Sequence, residues 1–295
     1  MAKVLFIVSG ASYWVLKDDT RHATGYWAEE FANPYKILTD GGHEVIIATP
    51  GGMIPTVDMM SLRPSFKDGE DGALKLENII RDAEGMRRPL KLSDVRLEDY
   101  DAVYLPGGHG PMQDLAFDAD TGRLLTEQLL SGKPLAIVCH APAAMLSTRI
   151  HGVPPFKGYK ITAFTNDEEE GVGLTPRAPW LLETDLKEKL GVDFSRGPNW
   201  EPYMVEDRNL ITGQNPHSSA LLGKRLLEVL AARRIAVGQA TPSRDQAPAA
   251  PCPTMVRGST MESKVFSSTR PLATAASFSV WSCASADSAM CAAFW

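Results

Sequence analysis

Four short apolar runs in this chain each stop on a glycine, a proline or a cysteine–histidine pair. They are "KVLFIVSG" (3–10), "HEVIIATP" (43–50), "DAVYLPGGHG" (101–110) and "PLAIVCH" (134–140). Runs this short and this evenly apolar are strands buried on both faces, the pattern of a parallel sheet. "YKITAFT" (159–165) and "RNLITGQNP" (208–216) are predicted as two further strands. Helical stretches lie between them. "WAEEFANPYKILTD" precedes Gly41 and Gly42, and "TGRLLTEQLLSG" closes on Gly132. "SSALLGKRLLEVLAARRIAV" places Leu222, Leu226, Val229 and Leu230 on one helical face. Pro34 inside the first helix predicts a kink or a late start. Strands alternating with helices predict an α/β fold, a doubly wound, mostly parallel sheet sandwiched by helices.

Two regions break the alternation. Residues 51–98 are polar and rich in turn signals, with room for one short helix. An insertion of that length is expected to be a cap, a lid or a partner surface, with a passive excursion as the alternative. Past residue 237 the chain turns to Ala, Ser, Pro and Thr without an amphipathic period. The expected organisation is therefore a catalytic domain over 1–237, with 51–98 as its inserted cap, and a low-complexity, disordered tail over 238–295.

A net charge of −6 over 295 residues argues against a nucleic-acid partner, which would need a basic face. No apolar stretch approaches the ~18 residues of a membrane span, and the first run is too short for a signal segment. The expectation is a cytoplasmic protein with no membrane partner. The four cysteines, Cys139, Cys252, Cys283 and Cys291, show no CxxC spacing and suit a reducing compartment.

Cys139 stands where a strand meets a turn and a predicted helix from His140, the setting of a nucleophile elbow. Such a turn exposes the side chain at the carboxyl end of a sheet, where open α/β folds bind ligands. A helix N-terminus behind it favours thiolate. The competing reading is an inert buried cysteine. "LPGGHG" brings backbone N–H groups toward a ligand at a neighbouring strand end, as an oxyanion hole or as an ordinary turn. His109 in that turn is expected to be a turn residue rather than a base. Glu29 and Glu30 on the first helix, and the acidic run of "NDEEEG" (166–171), are either solvated faces or carboxylates buried beside the thiol.

"TGYWAEEFANPY", "LPGGHG", "AIVCHAPAA", "AFTNDEEEGVGL" and "NLITGQNPHSS", in that order, resemble the PfpI/DJ-one superfamily, whose fold is that of class I glutamine amidotransferases. The resemblance runs from about Lys3 to Val237 and is to the heat-shock protein thirty-one type, which includes glutathione-independent glyoxalase III enzymes. It implies Cys139 as nucleophile, His140 as its neighbouring base, Glu169 as the partner of that histidine and Glu30 as the helix glutamate beside the thiol, with Glu29 left in solvent. It places the oxyanion amides at Gly108 and His109. Ala141 departs from a frequent glycine, and His217 from a usually small residue.

The activity this implies is conversion of methylglyoxal to D-lactate through a Cys139 hemithioacetal, a lyase reaction (D-lactate dehydratase) with neither organic cofactor nor metal. It also implies a homodimer and a small 2-oxoaldehyde as the substrate partner. The alternatives are a stress-response holdase chaperone, for which Met53, Ile54, Met59 and Met60 are candidate contacts, a deglycase-like activity, or a cysteine peptidase-like one. Glutamine hydrolysis is disfavoured, because Ser219 stands where a late histidine's glutamate would follow His217.

Overall fold

The computed structural model of the chain describes residues 1–64 and 69–240. Its frame is a seven-stranded sheet formed by β1 (Lys3–Ile7), β4 (Glu44–Thr49), β5 (Leu90–Lys91), β6 (Ala102–Leu105), β7 (Leu135–Val138), β10 (Met204–Asp207) and β11 (Leu210–Gly213). A hairpin of β2 (Tyr13–Val15) and β3 (Arg21–Ala23) and a short pair, β8 (Lys160–Ile161) with β9 (Asp193–Phe194), lie outside it. The strand order is β10-β11-β7-β6-β1-β4-β5, parallel throughout except for β10 at one edge. Every residue of β6, β7 and β11 is buried, which is why their sequences are apolar without alternation.

The helices cover both faces. They are α1 (Ala28–Asp40), α2 (Gly69–Asp82), α3 (Gly110–Gln113), α4 (Ala119–Ser131), α5 (Asn166–Gly171), α6 (Leu182–Asp185) and α7 (Ser219–Ala240). Asp118 caps α4 by accepting the Thr121 N–H, and Gly132, with φ 67°, ends it in the left-handed region. Leu222, Leu226 and Leu230 of α7 are buried along the predicted stripe. Because α7 runs to Ala240, regular structure passes the expected boundary at 237; the tail from 241 on, with Cys252, Cys283 and Cys291, lies outside the described residues.

Three expectations need correction. "YKITAFT" is not a strand of the main sheet. Only Lys160 and Ile161 pair, with β9, and the N–H groups of Thr162 and Phe164 go instead to Thr212 Oγ1 and to the carbonyl of Cys139. That segment braces the elbow from outside the ladder. Residues 51–98 are not one cap: β5 adds to the sheet edge, and Leu92, Val95 and Leu97 are buried in the core. From this segment, Asp58 and Met60 line the cavity beside Cys139. Pro34 does not interrupt α1, which starts at Ala28 and continues through it. Among the described residues, no helix is long and apolar enough to cross a membrane.

Candidate active site

The sheet order places β6 beside β1 and β7 beside β6, while β4 leaves β1 on the opposite side. The carboxyl ends of β1, β6 and β7 therefore flank the point where the winding reverses, where such sheets form crevices. Cys139 follows β7 directly with φ 61°, in the left-handed region that side chains rarely adopt. Its backbone is held from both sides, its N–H donating to the Gly213 carbonyl and its carbonyl accepting from Phe164, both at 2.9 Å. A 3-10 stretch, Ala141–Ser147, follows the elbow in place of the expected α-helix.

The thiol lies 3.2 Å from His140 Nδ1, and His140 Nε2 lies 2.8 Å from Glu169 Oε2. Glu169 comes from α5, whose first turn is held by a capping box between Thr165 and Glu168. The other oxygen, Glu169 Oε1, lies 3.0 Å from His109 Nε2. One carboxylate thus bridges two imidazoles. Burial alone would raise the Glu169 carboxyl, but the two rings, His109 foremost, hold it well below the usual carboxylate range. An ionised Glu169 can only accept, so each ring donates from Nε2, and the neutral form of each ring has its lone pair on Nδ1. Burial, and then the nearby His109 ring, push His140 down to about 4 against the pull of Glu169. The resting His140 is a neutral base aimed at the sulfur.

The rings form a column. Trp14 of β2 stacks on His109 at 5.4 Å, His109 meets His140 at 4.1 Å, and His140 meets Phe164 at 4.2 Å. His109 is therefore more than a turn residue: its side chain belongs to the site. Only a hairpin distant in sequence brings Trp14 there, and no local pattern signals it.

Glu30 is fully buried on α1 and accepts the Gly107 N–H at 2.7 Å through Oε2. A Cβ on residue 107 would meet His140 N and Val138 O at 2.8 Å and Glu30 Oε2 at 2.9 Å, so only glycine fits there. The Glu30 carboxyl is also within hydrogen-bonding reach of Cys139. Burial, and then Glu30, push the thiol well above its usual range, while the Gly108 N–H directed at sulfur opposes them. The surroundings therefore oppose the thiolate expected from the elbow: burial and an adjacent carboxyl both favour the protonated sulfur. Gly108 supplies an N–H at the expected position, whereas the Gly107 N–H is committed to Glu30.

Glu29 is half-buried and lines the cavity rather than pointing into solvent. That cavity, about 650 Å³, is also bounded by Trp27, Asp58, Met60, Phe164 and Trp200. His217 is exposed at its rim, in a 3-10 turn just before α7, and its Nδ1 contacts the Trp200 carbonyl. Glu168, fully buried, is a residue that sequence reasoning passed over. Its two oxygens accept from the Thr165 N–H and hydroxyl, the Trp200 N–H and the side chains of Gln214 and Asn215. It ties α5 to the end of β11 and to one cavity wall. The donor atoms of His109, His140 and Glu169 all lie within 4.8 Å of one another, a set that could hold a divalent ion. An ion held through the two Nε2 atoms would have to break both imidazole–carboxylate hydrogen bonds.

This chain is 31% identical over 244 residues to the protein/nucleic acid deglycase HchA of Pseudomonas aeruginosa (strain UCBPP-PA14), covering 77% of this chain and 80% of the relative. It is 29% identical over 227 residues to glyoxalase 3 of Candida albicans, covering 74% of this chain and 94% of the relative. The crystal structure of glyoxalase III from Candida albicans superposes with a TM-score of 0.66 at 26% identity, over 77% of this chain and 96% of that one. That of the 24 kDa rapid encystment protein of Francisella tularensis superposes with a TM-score of 0.69 at 26% identity, over 78% and 99%. Residues 20–229 match the DJ-1/PfpI family, a span that includes Glu30, Cys139, His140 and Glu169, and with the sheet order and the elbow at the end of β7 the chain belongs to the DJ-1/PfpI family.

Proposed function

We propose that this protein is a glutathione-independent glyoxalase III, converting methylglyoxal to D-lactate. The observation that carries the reading is the position of Cys139 Sγ, 3.2 Å from His140 Nδ1 and within hydrogen-bonding reach of the Glu30 carboxyl. Two proton carriers flank one nucleophile, which is what an internal redox isomerisation of a 2-oxoaldehyde needs.

The thiol attacks the aldehyde carbon as His140 Nδ1 takes its proton, and that proton passes to the new oxyanion to give a hemithioacetal. The Gly108 and His109 amides stabilise the developing charge. Glu30 carries the C1 proton to C2 through an enediol while His140 moves the hydroxyl proton from O1 to O2. The result is a lactoyl thioester on Cys139. Water then releases lactate and restores the thiol. These steps draw only on groups of this chain, substrate and water.

The test is lactate formation from methylglyoxal by the purified protein without glutathione, with D-specific detection of the product. Native protein should form D-lactate and Cys139→Ala should not. Absence of lactate from native protein would sink the reading. A deglycase reading is favoured by the relative named for that activity. It predicts release of amines or thiols from methylglyoxal adducts faster than free methylglyoxal leaves those adducts unaided. Matching rates for adduct loss and spontaneous dissociation would exclude it.

A further inference from the structure

We propose that the side chain of His109 is a second acid–base group of this site, the base that activates the water releasing the acyl group from Cys139. The role rests on the acyl-thioester of the reading above, and three observations support it.

First, the tautomer is set. Glu169 accepts on Oε1 from His109 and on Oε2 from His140, so His109 keeps its proton on Nε2 and its lone pair on Nδ1. Second, that Nδ1 makes no hydrogen bond with any described residue, and it is not among the buried polar atoms left without a partner, while the ring lines the cavity beside Cys139. In the neutral ring, a nitrogen with no hydrogen bond to a described residue, on a ring that lines the cavity, is available to a water. Third, both ring nitrogens of His140 have partners in the structure. Its Nε2 is on Glu169, its ring lies between His109 and Phe164, and its Nδ1 is on the sulfur. A nitrogen aimed at the sulfur suits returning a proton to the leaving sulfur, a task separate from taking the proton of the attacking water.

Water oxygen bonds to the thioester carbon as one water proton moves to His109 Nδ1. The tetrahedral intermediate collapses, the C–S bond breaks and sulfur leaves with the bonding pair. The second water proton reaches the sulfur through His140 Nδ1, the product leaves as a carboxylate, and His109 loses its proton to solvent. Nothing is oxidised or reduced in this step. Glu169 stabilises whichever imidazole is transiently charged.

p-Nitrophenyl acetate separates this role from the choice of substrate, because it acylates a reactive cysteine directly. Native protein should release a burst of nitrophenolate near one equivalent, then a slower steady rate set by deacylation. His109→Gln keeps an N–H donor for Glu169 but cannot take a proton. It should keep the burst, lower the steady rate by about 10²-fold or more, and accumulate acetyl on Cys139 by intact mass. A steady rate in His109→Gln equal to native would overturn the proposal, and so would a burst lost while iodoacetamide still alkylates Cys139 normally. A His109→Ala variant that loses deacylation while His109→Gln retains it would reduce His109 to a positioning residue and also overturn it. So would the lack of any burst in native protein with an alkylatable Cys139. If native protein hydrolyses the ester through His109 but makes no lactate from methylglyoxal, the substrate assignment fails and the role of His109 stands.

Discussion

The hydroxyl of Tyr104 donates to the main-chain carbonyl of Glu30 at 2.7 Å. Inside a helix that carbonyl would accept the N–H of residue 34, but residue 34 is proline and has none. A buried side chain from β6 therefore satisfies a backbone group of α1 and pins the turn that carries the Glu30 carboxyl. The uninterrupted helix and the placement of Glu30 share this one contact. Tyr104→Phe should leave a buried carbonyl unsatisfied and cost about 1–3 kcal/mol. Combined with Pro34→Ala, which restores an N–H, the cost should shrink. Chemical denaturation of the two single variants and the double variant measures the coupling; strict additivity would show that the two groups do not share the carbonyl.

Cys139 should react slowly with iodoacetamide at neutral pH, because burial and the adjacent Glu30 both favour the thiol. A raised thiol pKa means that the thiolate, and with it the alkylation rate, grows only as pH climbs toward the alkaline side. Glu30→Gln removes the second cause, so alkylation at pH 7 should speed up even as turnover falls. An unchanged or slower rate in Glu30→Gln would contradict the assigned electrostatics.

The three carboxylates near the thiol should separate in steady-state kinetics with methylglyoxal. Glu30→Gln removes a group that touches the sulfur and should lower kcat by about 10²–10⁴. Glu169→Gln should leave a larger residual rate, since Glu169 orients and balances the imidazoles rather than contacting the reacting carbon. Glu29 lines the cavity, so Glu29→Gln should act mainly on KM. A dead Glu29→Gln beside a near-native Glu30→Gln would reverse the roles of these neighbours.

The acid limb of kcat/KM should lie far below the ordinary histidine range. His140 is active when neutral, and its pKa is pushed down to about 4, so the base form persists above that pH and is lost only below it. Glu169 remains ionised through the same window. Burial is the larger cause and His109 the second, so His109→Gln should move the limb upward. A limb near pH 6.5 in the native protein would mean that His140 is not held neutral by its surroundings.

Five of the seven main-sheet strands were legible because a strand covered on both faces must be mostly apolar, and β1, β4, β6, β7 and β11 are short, predominantly apolar runs. The elbow at Cys139 was legible for the same local reason, a buried strand running into a turn. Glu30 and Glu169 could be named only from the ordered set of motifs, since one acidic residue beside another carries no local mark of which is buried. The tertiary structure decided the rest, because it depends on contacts between residues far apart in the chain. "YKITAFT" looks like a strand, yet its N–H groups are taken by Thr212 and Cys139, and it stays outside the main sheet. His109 looks like a turn residue, and becomes part of the site because Trp14 and Glu169 fix its ring from two other elements. The protonation of Cys139 is the clearest case: local sequence supplies the turn, but the Gly108 N–H, desolvation and the Glu30 carboxyl are all brought to the sulfur by the assembled interior, where the last two outweigh the first.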